Sequence, residues 1–519
     1  MARQIHTRWK ITSVLTAMTP IHVGGINVNA DSDLVLAING QGNYYIPGTS
    51  LAGALRHWMG QRLDDSDLKD LWGDHESDRR GASFIIINDA EIDLQGSVVE
   101  IREGVSIDRN TGAAAEHFKY NRAILPKGIT FPFEITVDYQ TTEAPTAVWQ
   151  LLQALAAGDI RVGAAKTRGL GGVQLDESTL TISQQDFGTA EGIFTTLING
   201  GVLQDWQTIK ANNPYTANHE ITLEINWQPK DPVMVKAEGD GIAVDIMPLV
   251  SQVGSNVRFV IPGSSIKGVL RAHGERIVRT LLDINISSEP GETLAFDRQV
   301  DLELINLLFG SAERSSSKKG HQKSEGRIGL LSVDDCYATL PMSEELWAAV
   351  EQTRTNREMR ISLQHALAIG EDRNPFRILQ PATHVAIDRW TGGAAEGMLY
   401  SVLEPIGISW EAMGLRLDLA RLLRYDSDKL QPILALLLLI LRDVFERKIP
   451  IGYGTNRGMG TVKATEIGMN CPQSLEALPQ LATETQITQS FFETETPLLQ
   501  ELSGGWQGWL DGVMTQEAA

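Results

Sequence analysis

Metal-ligand cysteines, a disulfide framework and an apolar leader are all missing from this chain. Its 519 residues include two cysteines, Cys336 and Cys471, which make no zinc-site spacing and no stapled secreted scaffold. That excludes a disulfide-rich extracellular module and points to a reducing, cytoplasmic setting. The opening MARQIHTRWK lacks the apolar core of a signal peptide. The longest apolar run, Ile433 to Leu441, is about half of the roughly 20 residues that span a bilayer. It reads as a buried helix, and no membrane partner is expected. Positive charge is scarce too: 45 Lys and Arg against 65 Asp and Glu leave a formal charge of −20. A uniformly basic nucleic-acid binder is excluded, but a basic groove within an acidic surface is not, because binding depends on where the cations sit.

What is present is a repeat. Ile46 to Arg56 reads IPGTSLAGALR and Ile261 to Arg271 reads IPGSSIKGVLR. In each, proline ends a strand, glycine turns the chain, and hydroxyls stand at a helix start: Thr49 and Ser50, or Ser264 and Ser265. Free N–H groups and the positive dipole end make such a start a ready anion site, with Arg56, Lys267 and Arg271 following within two turns.

Two further segments recur in the same order. Ile107 to Glu116 and Ile387 to Glu396 share eight identities in ten, with Asn110-Thr111-Gly112 and Trp390-Thr391-Gly392 as hairpin-tip material. A glycine loop closes each copy, Gly163 to Gly172 and Gly452 to Gly460. Three ordered recurrences mean an internal duplication. Gly48 to Asp108 spans 60 residues and Gly263 to Asp388 spans 125, so the second copy carries about 65 extra. Strands and helices in mixed order predict an α+β fold. The expected division is a first domain at 1–185, a linker at 186–215, a second domain at 216–470 with an insertion near 283–380, and an acidic appended tail at 471–519. The Ser/Lys-rich stretch 311–325 reads as a polar loop.

The combination of IPG(S/T)SxxGxLR, IDRxTGxAAE and a C-terminal glycine–arginine loop resembles the RAMP superfamily of CRISPR-associated proteins. Within it, the chain resembles the backbone subunits of type III effector complexes, and as a double-RAMP chain it resembles the fused backbone subunits of type III-D complexes. The resemblance implies two tandem ferredoxin-like (RRM-like) domains with protruding β-hairpin thumbs, strung along a guide RNA. Its implied partners are guide RNA, target RNA, other RAMP subunits and the large polymerase-like subunit. Gly48, Ser50, Arg56, Ser264, Ser265, Lys267 and Arg271, with Lys166, Arg168 and Arg457 of the glycine loops, are then expected to hold guide phosphates. Arg109, Arg389 and Trp390 would meet the guide–target duplex, Trp390 by stacking on an unpaired base, and His22 would help with phosphate charge.

The family cuts target RNA with an aspartate between the first glycine turn and IPG, in a context like D-S-P-V. Here Asp31-Ser32-Asp33-Leu34-Val35 places Asp31 on that aspartate and Asp33 on the proline; the second copy offers Asp245, one residue out of step. Asp31, Asp245 and Asp33 are then the implied catalytic carboxylates, for one or two cuts in the target, with Asp31 and Asp245 the implied holders of Mg²⁺ or Mn²⁺. A catalytically inert guide clamp and a guide-RNA maturation endonuclease using histidine acid–base chemistry are the alternative readings.

Overall fold

The computed structural model describes residues 4–25, 32–74, 81–216, 220–239, 241–285, 296–312, 326–370, 372–471, 481 and 486–517. The chain forms two compact units. The first comprises Met1–Arg102, Asn121–Lys166 and Leu170–Asn218; the second comprises Glu103–Tyr120, Thr167–Gly169 and His219–Ala519. Two short pieces of the first sequence copy, a hairpin tip and part of a glycine loop, therefore belong to the second unit.

The first unit runs strand, helix, strand, strand, helix, strand: Thr7–Ala17, Gly48–Gly60, Ile85–Ile87, Thr130–Tyr139, Thr146–Ala157 and Gly172–Leu175. The long strand Thr7–Ala17 is central. Its burial alternates along its length, and it pairs antiparallel with Thr130–Tyr139 in a register that sets Ile11 against Ile135 and Leu15 against Phe131. On the other side it pairs with Gly172–Leu175 and Thr181–Asp186. The inward residues pack against Leu51, Leu55, Trp58, Leu151 and Leu155 of the two helices. Gly158, with φ 78°, ends the second helix in the left-handed conformation that its sequence position predicts. Ile85–Ile87 lies at the sheet edge and is buried on one face only, with Ile86 exposed.

The second unit repeats this order with Glu220–Pro229, Gly263–Leu282, Leu331–Val333, Met413–Asp418, Leu430–Phe445 and Val462–Asn470. Its sheet has the same arrangement, with Glu220–Pro229 between Met413–Asp418 and Val462–Asn470, and Leu331–Val333 beyond Met413–Asp418. Both units thus share one βαββαβ topology. The apolar run is the core helix Leu430–Phe445, buried almost all round.

Two boundary expectations need correction. The supposed linker folds into helices Ala190–Asn199 and Trp206–Asn212, and Trp206 is buried against the first core while donating to Glu177 at 2.8 Å. The supposed tail is no appendage: Ile487 pairs with Ile467 on the sheet, and Leu498 and Leu502 of helix Pro497–Glu517 complete the second core. Both segments lack a repeat partner, and that hid their apolar periodicity. Of the stretch 311–325, residues 313–325 lie outside the described residues.

Candidate nucleic-acid interface

The two IPG helices begin identically, but not as open anion sites. The Gly48 N–H donates to the Asp89 carboxylate at 2.7 Å, and the Gly263 N–H donates to Asp335 at 2.7 Å. Each helix start thus already holds a carboxylate, from the end of the strand beneath it. The glycines are required by space: a Cβ at Gly48 would lie 2.3 Å from the Ile87 carbonyl oxygen, and at Gly263 2.2 Å from that of Val333. Lys267 and Arg271 face inward. The Lys267 ammonium is buried and donates to the Leu331 carbonyl at 2.7 Å. Burial, with Arg168, Arg271 and Arg421 nearby, pushes its pKa down to about 7. Arg271 binds Glu275 at 2.7 Å, Asn306 at 3.0 Å and the Val300 carbonyl at 3.1 Å. These two cations hold the second unit together and are not available to a phosphate. What the helix starts leave outward are Thr49 and Ser264, with Ser50, Ser265 and Arg56 half-buried beside them.

The loops before IPG superpose in register. Gly25 N–H to Val35 O and Ala37 N–H to Val23 O in the first copy match Ala237 to Met247 and Leu249 to Val235 in the second. The parallel bridges Leu34↔Arg122 and Ile246↔Val402 correspond in the same way. Asp33 is therefore the equivalent of Asp245, and a count of two residues back along each sequence sets Ala243 opposite Asp31. This corrects the sequence alignment, which set Asp245 beside Asp31. Asp33 and Asp245 are both anchored. Asn121 N–H donates to Asp33 Oδ2 at 2.9 Å, and Asp33 N–H returns a bond to Asn121 Oδ1 at 2.6 Å. Ser401 N–H and Oγ–H donate to Asp245 Oδ2 at 2.7 and 2.8 Å, and Asp245 N–H donates to Ser401 Oγ at 3.1 Å. These bonds favour the carboxylate and lower the Asp245 pKa. Asp31 itself lies outside the described residues.

The glycine loops divide their cations. His22 is buried, its Nδ1 2.7 Å from the Ala123 carbonyl oxygen, and burial lowers its pKa, so it braces the loop instead of facing a phosphate. Lys166 is half-buried with its pKa lowered by desolvation. Arg168 and Arg457 are exposed and equivalent: each donates through NH1 to a tyrosine hydroxyl, Tyr120 at 3.0 Å and Tyr400 respectively. In the second unit Tyr400 also stacks on His384, ring centroids 5.3 Å apart, and His384 Nε2 lies 3.1 Å from Glu404. Repeat spacing places Gly104 at the position of His384, and a Cβ there would strike the Tyr120 ring at 2.4 Å. Tyr120, Tyr400, Asn121, Ser401 and His384 escaped the sequence reading. A strict alignment of the hairpins, with Tyr twelve residues after the Asp in both, carries the signal for the tyrosines.

The two hairpin tips share one turn. Asp108 Oδ1 accepts from Asn110 and Thr111 N–H at 2.9 and 2.8 Å; Asp388 Oδ1 accepts from Trp390 and Thr391 N–H at 2.7 and 3.2 Å. Their surroundings differ. Arg109 is tied to Glu275 at 2.6 Å within the second unit, which corrects its reading as an RNA contact. Arg389 is exposed and Trp390 is 96% exposed, so neither anchors a core.

A duplicated βαββαβ protein is a pair of ferredoxin-like folds, the topology that RRM domains share. The RAMP superfamily matches residues 14–174 and 248–463, more than half of the chain. The chain belongs to that superfamily, and its two regions are tandem ferredoxin-like RAMP domains of the CRISPR-associated, RNA-binding kind. No curated protein matches it. Among the described residues no helix is long and apolar enough to cross a membrane.

Proposed function

We propose that the chain is a guide-RNA-binding backbone subunit of a type III CRISPR effector complex, with other RAMP subunits and the large polymerase-like subunit as partners. In this reading it cuts target RNA at one position, through Asp31. The carrying observation is the register of the two loops. It commits Asp33 and Asp245 to the same hydrogen-bonded anchor, and a count of two residues back along each sequence sets Ala243 opposite Asp31. An aspartate whose oxygens already accept backbone and hydroxyl protons is suited to fixing a hairpin. The second repeat then acts as a clamp without a cutting carboxylate. The exposed guanidiniums of Arg168 and Arg457, preset by their tyrosines, are the phosphate contacts. Trp390 is the stacking surface for a base displaced from the duplex.

RNA supplies the nucleophile for its own cleavage. The 2′-hydroxyl, its proton removed by the Asp31 carboxylate, attacks the adjacent phosphorus as the P–O5′ bond breaks and the 5′-oxygen takes a proton from water, leaving a 2′,3′-cyclic phosphate and a 5′-hydroxyl. Among the described residues no group of three or more His, Cys, Asp or Glu stands ready as a metal cage. Mg²⁺ or Mn²⁺, which would be held by one carboxylate with water and substrate phosphate, would supply charge neutralisation.

The test is end-labelled target RNA added to the assembled complex. Loss of one cut on Asp31→Ala, with unchanged RNA affinity and a cyclic phosphate on the wild-type product, supports the reading; an unchanged product pattern removes it.

A further inference from the structure

The segment that joins the two repeats carries a helix packed inside out. Helix Ala190–Asn199 lies on strand Thr181–Asp186, and an amphipathic helix in that place ordinarily turns its apolar face inward. Here the inward side is small and polar. Gly192 sits over the Asp186 carboxylate, where a Cβ would strike an oxygen, and the Thr189 Oγ accepts from the Gly192 N–H at 3.0 Å. The Thr196 hydroxyl is buried without a hydrogen-bond partner among the described residues. The apolar face points to solvent instead: Ile193, Phe194, Leu197 and Ile198 are 49, 63, 78 and 74% exposed. The chain then turns through Gly200 and Gly201 into Val202–Leu203, the edge strand of the sheet, whose two side chains are 52 and 73% exposed. Six neighbouring apolar side chains in this state make a patch on the order of several hundred Å², the size that marks an interaction site, and one side of a stable interface buries roughly 800 Å². The patch falls between the two regions matched by the RAMP model, so it belongs to this chain and not to the repeat.

We propose that this face docks a polypeptide of different sequence, through an apolar surface bordered by Lys or Arg. Charge selects the occupant. From Phe187 to Ile209 the chain has no Lys, Arg or His, while Asp186, Glu191 and Asp205 border the patch. Cations on the adjoining elements are already paired: Arg8 with Asp138 and Lys210 with Glu177, both at 2.7 Å, and Lys10 with Glu134 at 3.1 Å. RNA therefore finds no counter-charge here. A lipid surface is disfavoured for the same reason, since helices that lie on membranes carry Lys and Arg on their polar face. A second copy would bring only the same three carboxylates, between chains of formal charge −20 each. A partner with a basic border meets both the apolar centre and the acidic edge. The proposal rests on no RNA contact and no cleavage step.

The full chain is co-expressed with the genes that flank its own, with the photo-crosslinker p-benzoylphenylalanine in place of Leu203. The expected adduct maps by mass spectrometry to one apolar segment of another polypeptide, next to Lys or Arg. Leu197→Lys, which drives a charge into the centre of the contact, is expected to cut the yield about tenfold or more. Glu191→Lys, at the border, is expected to cut it about two- to fivefold. All three positions are exposed, so unchanged melting certifies the fold. Light scattering of the chain alone is expected to give a monomer. A stable dimer, adducts to RNA, lipid or a second copy, adducts scattered over many polypeptides, or no adduct overturn the proposal, as does a yield indifferent to Leu197→Lys.

Discussion

At the scale of single residues, context decides what an aspartate or lysine is for. Three loop aspartates looked alike in the sequence, yet Asp33 and Asp245 share a hydrogen-bonded position, and the residue two places before Asp245 is Ala243. Local composition cannot reveal this, because the register depends on bridges to strands about 90 and 150 residues away. Lys267 illustrates the same point. One turn into a motif helix it resembles a phosphate ligand, but its amphipathic position turns it inward to the Leu331 carbonyl. Its depressed pKa carries a stability signature. The folded chain gives up the proton near pH 7, whereas the unfolded chain holds it to its ordinary 10.5. The burial cost is full below about pH 7 and fades as pH rises toward 10.5, since the unfolded state binds the extra proton in that window. Urea midpoints at pH 6.5 and 9.5 should therefore rise with pH in the wild type relative to Lys267→Met; parallel behaviour of the two would refute the assignment.

Among the elements, the IPG helices were the most legible part of the chain. Proline, glycine and the apolar spacing located both to within two residues. Their capping was not legible, since Asp89 and Asp335 come from strands 41 and 72 residues on. Two stability predictions follow from that contact. Asp335→Ala should cost about 0.5–2 kcal/mol, the usual range for a lost helix cap. Gly263→Ala should cost about 1–3 kcal/mol by driving a methyl into the Val333 carbonyl. Thermal or urea unfolding of the full chain reads both, and a neutral Gly263→Ala would contradict the close approach. The hairpins teach a related lesson. Their turn chemistry was evident from Asp-Arg-x-Thr-Gly, whereas their opposite fates, one docked and one exposed, depend on Glu275 and Gln299 far along the chain.

For the whole molecule, the duplication was the sequence's strongest message, and it held through topology, register and the Arg–Tyr pairs. What stayed hidden were the segments without a repeat partner, the folded connector and the C-terminal helix, whose apolar residues acquire meaning only against cores already built. In the proposed reading, RNA binding rests on exposed guanidiniums such as those of Arg168 and Arg457. Removing one should show as a counterion effect: Arg457→Ala is expected to flatten log K against log salt by about 0.7, the single-strand value per phosphate contact, equally for all sequences. An unchanged slope would take Arg457 out of the interface. The central claim is that one repeat cuts and the other clamps. Cleavage of labelled target RNA by complexes carrying Asp31→Ala or Asp245→Asn measures it directly. The account predicts that Asp31→Ala erases one cut while Asp245→Asn, which keeps an acceptor for Ser401, leaves every cut in place; loss of a cut in the Asp245→Asn complex with RNA binding intact would contradict it.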